Sequence, residues 1–309
     1  MQAPLRRDPL ERPILVIGAA RSGTSMVSGF FKLHPDVVVW IEPNYVWKRK
    51  FAWLGHDAIP GKAATPRHAE ELRKYFRDHC LAHGGGTLCE KTPSNSLRLD
   101  FVSRVLPGAR FVHIVRDGRN AAVSARAHWS GNLHQITRDP KYGASVSKLK
   151  VARYFATTMA AKAAQPAALR DLPFYLPRLA RYVRRHLGWK APDVWGPRFP
   201  GIREAIRERS LIEVCALQWQ ACVDAESAFF EAHPEVDVIH VKYEDLCANP
   251  RDQIEAIFRF CGLEMNEAIA AKSGELMAPD WDAWRKKLKP EEIDKVDALV
   301  GDTLARLGY

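Results

Sequence analysis

A loop of small and polar residues at positions 18–25 has the composition of an anion-binding site. Its sequence is GAARSGTS, between an apolar run and a segment of helical periodicity. Glycines let a ligand approach the backbone, and a loop that opens a helix presents free N–H groups at the helix's positive end. The sequence predicts a site for a phosphate or sulfate group, with an unliganded tight turn as the alternative. The candidate residues are Arg21, Ser22, Gly23, Thr24 and Ser25.

The loop departs from the Walker A pattern of nucleoside triphosphatases at one decisive position. Gly18 and Gly23 have the spacing of its two glycines, but Thr24 stands where that pattern has a phosphate-binding lysine. This difference disfavours ATP or GTP hydrolysis. A P-loop kinase or NTPase stays as an alternative.

Short β-branched runs alternate with helical periodicity along most of the chain. Strands are predicted at 14–17, 36–40, 87–89, 110–115 and 236–241, and helices after 24, at 66–83, at 97–106, after 118, after 210, after 249 and after 290. This alternation predicts an α/β, P-loop-like fold with a central, mainly parallel sheet flanked by helices. In such sheets ligands bind at the carboxyl ends of the strands, where the loop at 18–25 falls.

The positive charge is concentrated in one region. The 309 residues carry a formal charge of +10, and residues 130–210 alone contain sixteen basic and five acidic residues. We expect one domain, 1–309, with 130–210 as a basic, largely helical insertion on the acceptor side. Residues 174–189 form a basic amphipathic pattern that suits peripheral contact with an anionic membrane, an acidic acceptor, or simply the protein's own core.

Several classes of protein are disfavoured by what the sequence lacks. No apolar run approaches the ~20 residues of a membrane span and no secretory signal is evident, so we expect a cytoplasmic protein. The six cysteines form no C-x-x-C pair, which predicts buried thiols and no zinc ribbon. No metal site is predicted. A non-enzymatic nucleic-acid-binding protein has only the charge in its favour, since no nucleic-acid motif is present.

Three segments, in order along the chain, resemble those of sulfotransferases that use 3′-phosphoadenosine 5′-phosphosulfate (PAPS). PILVIGAARSGTS at 13–25 looks like the family's 5′-phosphosulfate loop, FVHIVRDGRNAAVSA at 111–125 like its 3′-phosphate motif, and 241–263 like its later strand and helix. The resemblance is greatest to the tyrosylprotein-sulfotransferase-like branch. It covers 13–125 and 211–309 and does not include the insertion.

The resemblance implies an enzyme that moves a sulfonyl group from PAPS to an acceptor hydroxyl and releases 3′-phosphoadenosine 5′-phosphate (PAP). Glu42 matches the family's general base, and Lys91 and Arg21 match its electrostatic catalysts. Arg116 and Ser124 match the residues that bind the 3′-phosphate. Tyr243 matches the family's later motif and is a weaker candidate for binding the nucleotide. Each role has a structural alternative. For Glu42 it is a place on a surface turn, for Lys91 a solvated loop lysine, and for Arg116 an ion pair with Asp117.

The acceptor is not predicted. Pro93 occupies the place where the cytosolic small-molecule branch has its catalytic histidine, so that base is absent. Acceptor choice depends on variable segments, which leaves glycan, lipid-linked, small alcohol and peptidyl-tyrosine acceptors open. The oligomeric state is equally open.

Overall fold

A five-stranded, fully parallel sheet forms the centre of the molecule. The computed structural model describes residues 8–131, 194–276 and 280–309. The strands are β1 (Ile14–Ile17), β2 (Val37–Ile41), β3 (Thr87–Lys91), β4 (Arg110–Val115) and β5 (Val238–Lys242). Their order across the sheet is β2-β3-β1-β4-β5, and every neighbouring pair is parallel. The α/β class and the parallel sheet predicted from the sequence are confirmed.

Helices connect the strands and cover both faces of the sheet. The described helices are α1 (Thr24–Phe31), α2 (Asn44–Trp47), α3 (Pro66–Ala82), α4 (Leu99–Val105), α5 (Gly118–Gly131), α6 (Ile202–Glu208), α7 (Leu211–Ala232), α8 (Tyr243–Ala248), α9 (Pro250–Phe260), α10 (Glu267–Gly274), α11 (Ala283–Lys287) and α12 (Pro290–Arg306). Two 3₁₀ turns, Gly61–Ala63 and Pro93–Arg98, complete the described elements.

The central strand β1 is buried on both faces, as expected for a parallel sheet covered by helices. Leu15 and Ile17 join one apolar cluster, which includes aromatic residues of α2, α3, α4 and α7. Ile14 and Val16 join the other, which includes residues of α1 and α9. This double burial fixes the strand from which the loop at 18–25 departs.

Two element boundaries differ from the sequence-based prediction. The last strand was predicted at 236–241, but β5 is Val238–Lys242, and Tyr243 directly begins α8. The helix expected at 97–106 is a 3₁₀ turn, Pro93–Arg98, followed by α4. The helix predicted after 210 is α7, and Ser210 and Glu213 form a capping box at its start.

The chain divides into two compact units, Met1–Arg126 with Gly196–Tyr309, and Ala127–Trp195. The first holds the sheet. Of the second, the structure describes the end of α5 and residues 194–195, where the rings of His128 and Trp195 lie 4.7 Å apart. The predicted basic insertion at 130–210, with its amphipathic segment 174–189, lies largely outside the described residues and stays a prediction.

The cysteines agree with the prediction of buried thiols. All six cysteines are buried and free. Within the described ranges, no helix combines the length and apolar character needed to cross a bilayer.

Candidate active site

Residues following all five strands meet at one edge of the sheet. Because the strands are parallel, their carboxyl ends share an edge. The order of the strands therefore places Glu42, Lys91, the loop at 18–25, Arg116 and Tyr243 in that sequence along it. The fold thus brings every region predicted to do chemistry to a single line.

The loop at 18–25 requires its two glycines. A Cβ atom on Gly18 would lie 2.4 Å from the carbonyl oxygen of Ile114, and one on Gly23 would lie 2.5 Å from the ring of Tyr243. Gly23 also has a φ of 100°, in the left-handed region. It is the N-cap of α1 and supplies no side-chain cap. The Met26 N–H donates to the Gly23 carbonyl oxygen at 2.9 Å, which leaves the N–H groups of Thr24 and Ser25 for a ligand.

The hydroxyls of the loop have different surroundings. Ser22 is fully buried, and its Oγ has no hydrogen-bond partner among the described residues. Its amide, however, donates to the carbonyl of Ala19 at 3.1 Å and is not available to a ligand. Thr24 is also buried, while Ser25 is exposed. A buried hydroxyl without a partner is costly, which makes Ser22 Oγ a fit donor for an anion bound in the loop.

Arg21, Arg116, Ser124 and Tyr243 form one cluster. Arg21 Nε donates to Ser124 Oγ at 3.0 Å, and Arg116 donates to the carbonyl oxygen of Arg21 at 3.0 Å. The Arg116 guanidinium lies 4.3 Å from the centre of the Tyr243 ring. Burial, followed by the charge of Arg116, lowers the pKa of Arg21. Two cations held this close favour the binding of an anion between them.

Asp117 pairs with Arg119, not with Arg116 as in the alternative that the sequence left open. The distance between the two charged groups is 2.7 Å, and Asp117 also accepts the Arg119 backbone N–H at 2.8 Å. Asp117 is therefore neutralised within the first turn of α5. The Arg116 side chain points to the loop at 18–25 through its bond with Arg21.

Glu42 and Lys91 form an ion pair across neighbouring strands. Lys91 Nζ donates to Glu42 Oε1 at 2.8 Å, and the Glu42 amide donates to the Lys91 carbonyl, also at 2.8 Å. Lys91 is the last residue of β3, and its side chain is 2% exposed, whereas that of Glu42 is 56% exposed. Lys91 is thus not a solvated loop lysine, whereas the Glu42 carboxylate is open to solvent.

A model of the sulfotransferase family matches residues 13–175 and 197–267, which is most of the chain. The chain belongs to the sulfotransferase family. Nodulation protein NoeE of Sinorhizobium fredii is 23% identical over 97% of this chain and 67% of its own length. A putative protein-tyrosine sulfotransferase of Caenorhabditis briggsae is 25% identical over 35% of this chain and 41% of its own. The crystal structure of sulfotransferase STF9 from Mycobacterium avium has the same fold, at 13% identity and a TM-score of 0.50, covering 96% of this chain and 77% of that one.

One group of polar residues beside the candidate active site was missed by sequence reasoning. Glu90 precedes Lys91, has no exposed surface, and accepts hydrogen bonds from Trp47 Nε1 at 3.0 Å, Thr92 Oγ1 at 2.5 Å and Asn95 Nδ2 at 2.8 Å. Burial raises the pKa of Glu90 to about 7. A charged residue in a strand that has a neighbouring strand on each side is expected to be buried. The sequence alone does not show that β3 has two neighbours.

Arg98 extends this group towards Glu42. It is buried, donates from Nε to Asn95 Oδ1 at 2.9 Å and from its terminal nitrogen to Asn44 Oδ1 at 2.7 Å. Burial lowers its pKa to about 10, while the charges of Asp57 and Glu90 oppose that change. Arg98 thereby connects the turn after Lys91 with the turn after Glu42.

The described residues contain no group of three or more His, Cys, Asp or Glu side chains arranged to hold a metal ion.

Proposed function

We propose that this sulfotransferase moves a sulfonyl group from PAPS to the hydroxyl of an acceptor and releases PAP. The observation that carries the proposal is the division of one sheet edge into two sites. A cationic cluster of Arg21, Arg116 and the loop at 18–25 adjoins a carboxylate–ammonium pair, Glu42 and Lys91. A doubly anionic nucleotide suits the first site, and transfer to an oxygen suits the second.

The first site would hold the nucleotide. The amides of Gly23, Thr24 and Ser25, with the hydroxyl of Ser22, fit the 5′ end of the donor. Arg116 and Ser124 fit the 3′-phosphate, and Tyr243 packs against Arg116. The Arg21 side chain donates to Ser124, and the Arg21 carbonyl oxygen accepts from Arg116. Arg21 can therefore interact with anionic groups at both the 5′ and the 3′ end of the donor.

The second site would carry out the transfer. When bound, PAPS supplies a sulfonyl group on a good leaving group. The acceptor oxygen forms a bond to sulfur as the bond from sulfur to the 5′-phosphate oxygen breaks, and Glu42 takes the proton of the hydroxyl. Lys91 and Arg21 neutralise charge on the sulfonyl group and the leaving oxygen, as cations do in phosphoryl transfer.

The nucleotide part of the proposal is tested by calorimetry with 3′,5′-ADP, which is PAP. We expect it to bind and to stabilise the fold in a thermal shift, whereas ATP does so less. The transfer part is tested by incubating the chain with sulfur-labelled PAPS and cell extract, then identifying the product by mass spectrometry. Preferential stabilisation by ATP would indicate a kinase or NTPase. Duplex binding with steep salt dependence and no uptake of PAP would indicate a nucleic-acid-binding protein.

A further inference from the structure

The short helix α2 is anchored at both ends to the chain segment around Lys91. It begins at Asn44, two residues after Glu42, and its four residues end at Trp47. Asn44 Oδ1 accepts a hydrogen bond from Arg98 at 2.7 Å, and Trp47 Nε1 donates one to Glu90 at 3.0 Å. A four-residue helix has little stability of its own, so these two bonds fix its position.

Asn95 joins the two anchors into a continuous network. Its Nδ2 donates to Glu90 Oε2 at 2.8 Å, and its Oδ1 accepts from Arg98 Nε at 2.9 Å. Glu90, Asn95, Arg98 and Trp47 are all buried. Arg98 Nη1 has no partner among the described residues, but the other bonds of the network each join two buried groups. In a low-dielectric interior such bonds favour one arrangement, because breaking any of them leaves further buried groups without a partner.

Glu42 adopts a backbone conformation that needs such support. Its φ is 54°, in the left-handed region that side chains other than glycine rarely occupy. Such a residue keeps this conformation only when its surroundings impose it. On one side Glu42 bonds to Lys91, and on the other it leads through Pro43 into the anchored helix.

We infer that Asn44, held by Arg98, is a positioning residue that places the Glu42 carboxylate against Lys91 for transfer. The network of Trp47, Glu90, Asn95 and Arg98 fixes the two turns, and Asn44 is its connection to the turn of the proposed base. This inference rests on the proposed function. It assigns a role to residues outside the two proposed sites.

The first test compares Asn44→Ala with Asn44→Asp. The assay measures labelled sulfate released from PAPS to water, and transfer to whichever acceptor the extract experiment yields. We expect Asn44→Ala to slow both about 10-fold, since small displacements of a catalytic group have effects of this order, with the Kd for 3′,5′-ADP within about twofold. Asn44→Asp keeps an acceptor oxygen for Arg98 and should keep the rate. Asn266→Ala, which removes a hydrogen-bonded asparagine at the start of α10, is the control with an unchanged rate.

The second test separates positioning from general support of the fold. A residue that acts only through Glu42 has no further effect once Glu42 is removed. The double variant Glu42→Gln/Asn44→Ala should therefore be as active as Glu42→Gln alone. A further 10-fold loss in the double variant, or an unchanged rate for Asn44→Ala, would overturn the inference.

The third test does not depend on turnover. The unliganded chain and its variants are treated with acetic anhydride, and acetylation of Lys91 is compared with that of the exposed Lys74 by peptide mass spectrometry. Lys91 is protected by burial and by Glu42, so Asn44→Ala should raise its relative acetylation about 5-fold or more through local opening, and Asn44→Asp should not. Unchanged protection would overturn the inference even in a chain that binds no PAP. Absence of PAP binding would overturn the proposed function alone.

Discussion

Lys91 Nζ and Glu42 Oε1 lie 2.8 Å apart, so the two residues proposed for the transfer step neutralise each other in the unliganded chain. One is buried and the other more than half exposed. In the proposed mechanism, Glu42 would turn to an acceptor arriving from solvent, whereas Lys91 would stay fixed at the end of its strand. The incoming donor would compete with Glu42 for the ammonium group and thereby free the carboxylate.

Replacing Glu42 or Lys91 should lower the rate of turnover and leave nucleotide binding nearly unchanged. We expect Glu42→Gln and Lys91→Ala each to lower the rate of transfer by about 100-fold or more, the usual range for a proton-transferring or charge-neutralising group. The Kd for 3′,5′-ADP, measured by calorimetry, should change much less. Glu255→Gln, which breaks an exposed ion pair with Arg259 on α9, is the matched control. Near-normal turnover in Glu42→Gln would remove the base from the proposal.

Arg116 should discriminate between nucleotides with and without a 3′-phosphate. Arg116→Ala removes a charged hydrogen-bond donor, which is worth about 2 kcal/mol, or roughly 30-fold in Kd for 3′,5′-ADP. Binding of adenosine 5′-phosphosulfate, which lacks the 3′-phosphate, should change little. The exposed Arg67 of α3, replaced by alanine, serves as control. Equal losses for the two nucleotides would contradict the assignment.

Gly23 should tolerate no side chain. Gly23→Ala combines a φ of 100° with a Cβ atom 2.5 Å from the Tyr243 ring, and we expect a loss of about 2 kcal/mol of unfolding free energy with weakened binding of 3′,5′-ADP. Chemical denaturation and calorimetry measure the two effects. Gly29→Ala, inside α1 with nothing within 4 Å of its Cβ, should leave binding intact and raise stability slightly. A stable, fully binding Gly23→Ala would show that the loop is not fixed as described.

Glu90 should make stability depend on pH in an identifiable direction. Its pKa is raised from 4.5 to about 7 in the folded chain by burial. Between these values the folded state holds a proton that the unfolded state has released, so this residue's contribution to stability decreases as pH rises from about 4.5 to about 7. The full difference is of order 3 kcal/mol. It should be absent in Glu90→Gln, and the test is the unfolding free energy of both proteins at several pH values. Parallel pH curves would show that Glu90 does not titrate in this range.

The sequence predicted the elements better than their arrangement. Short apolar runs with β-branched residues located all five strands, and the residues in the loop at 18–25 and at Arg116 indicated anion binding. The order β2-β3-β1-β4-β5 was not predictable, because parallel pairing joins segments far apart in the chain. Without it, nothing showed that Glu42 and Lys91 lie on neighbouring strands.

The sequence also did not predict which polar side chains are buried. Glu90 and Arg98 are ordinary charged residues in the sequence, and only the packing of α2 against the turn after β3 makes them interior. Tyr243 lies just beyond the strand predicted at 236–241, and the sequence did not show that the chain begins α8 there. Its ring then contacts Arg116.

The residues proposed for transfer and those proposed for nucleotide binding lie on different parts of the sheet edge. The proposed transfer pair lies at the ends of β2 and β3, at one margin of the sheet, while the proposed anion-binding groups follow β1, β4 and β5. In the proposed mechanism, substitutions confined to that margin would therefore alter transfer without replacing a residue that holds the donor.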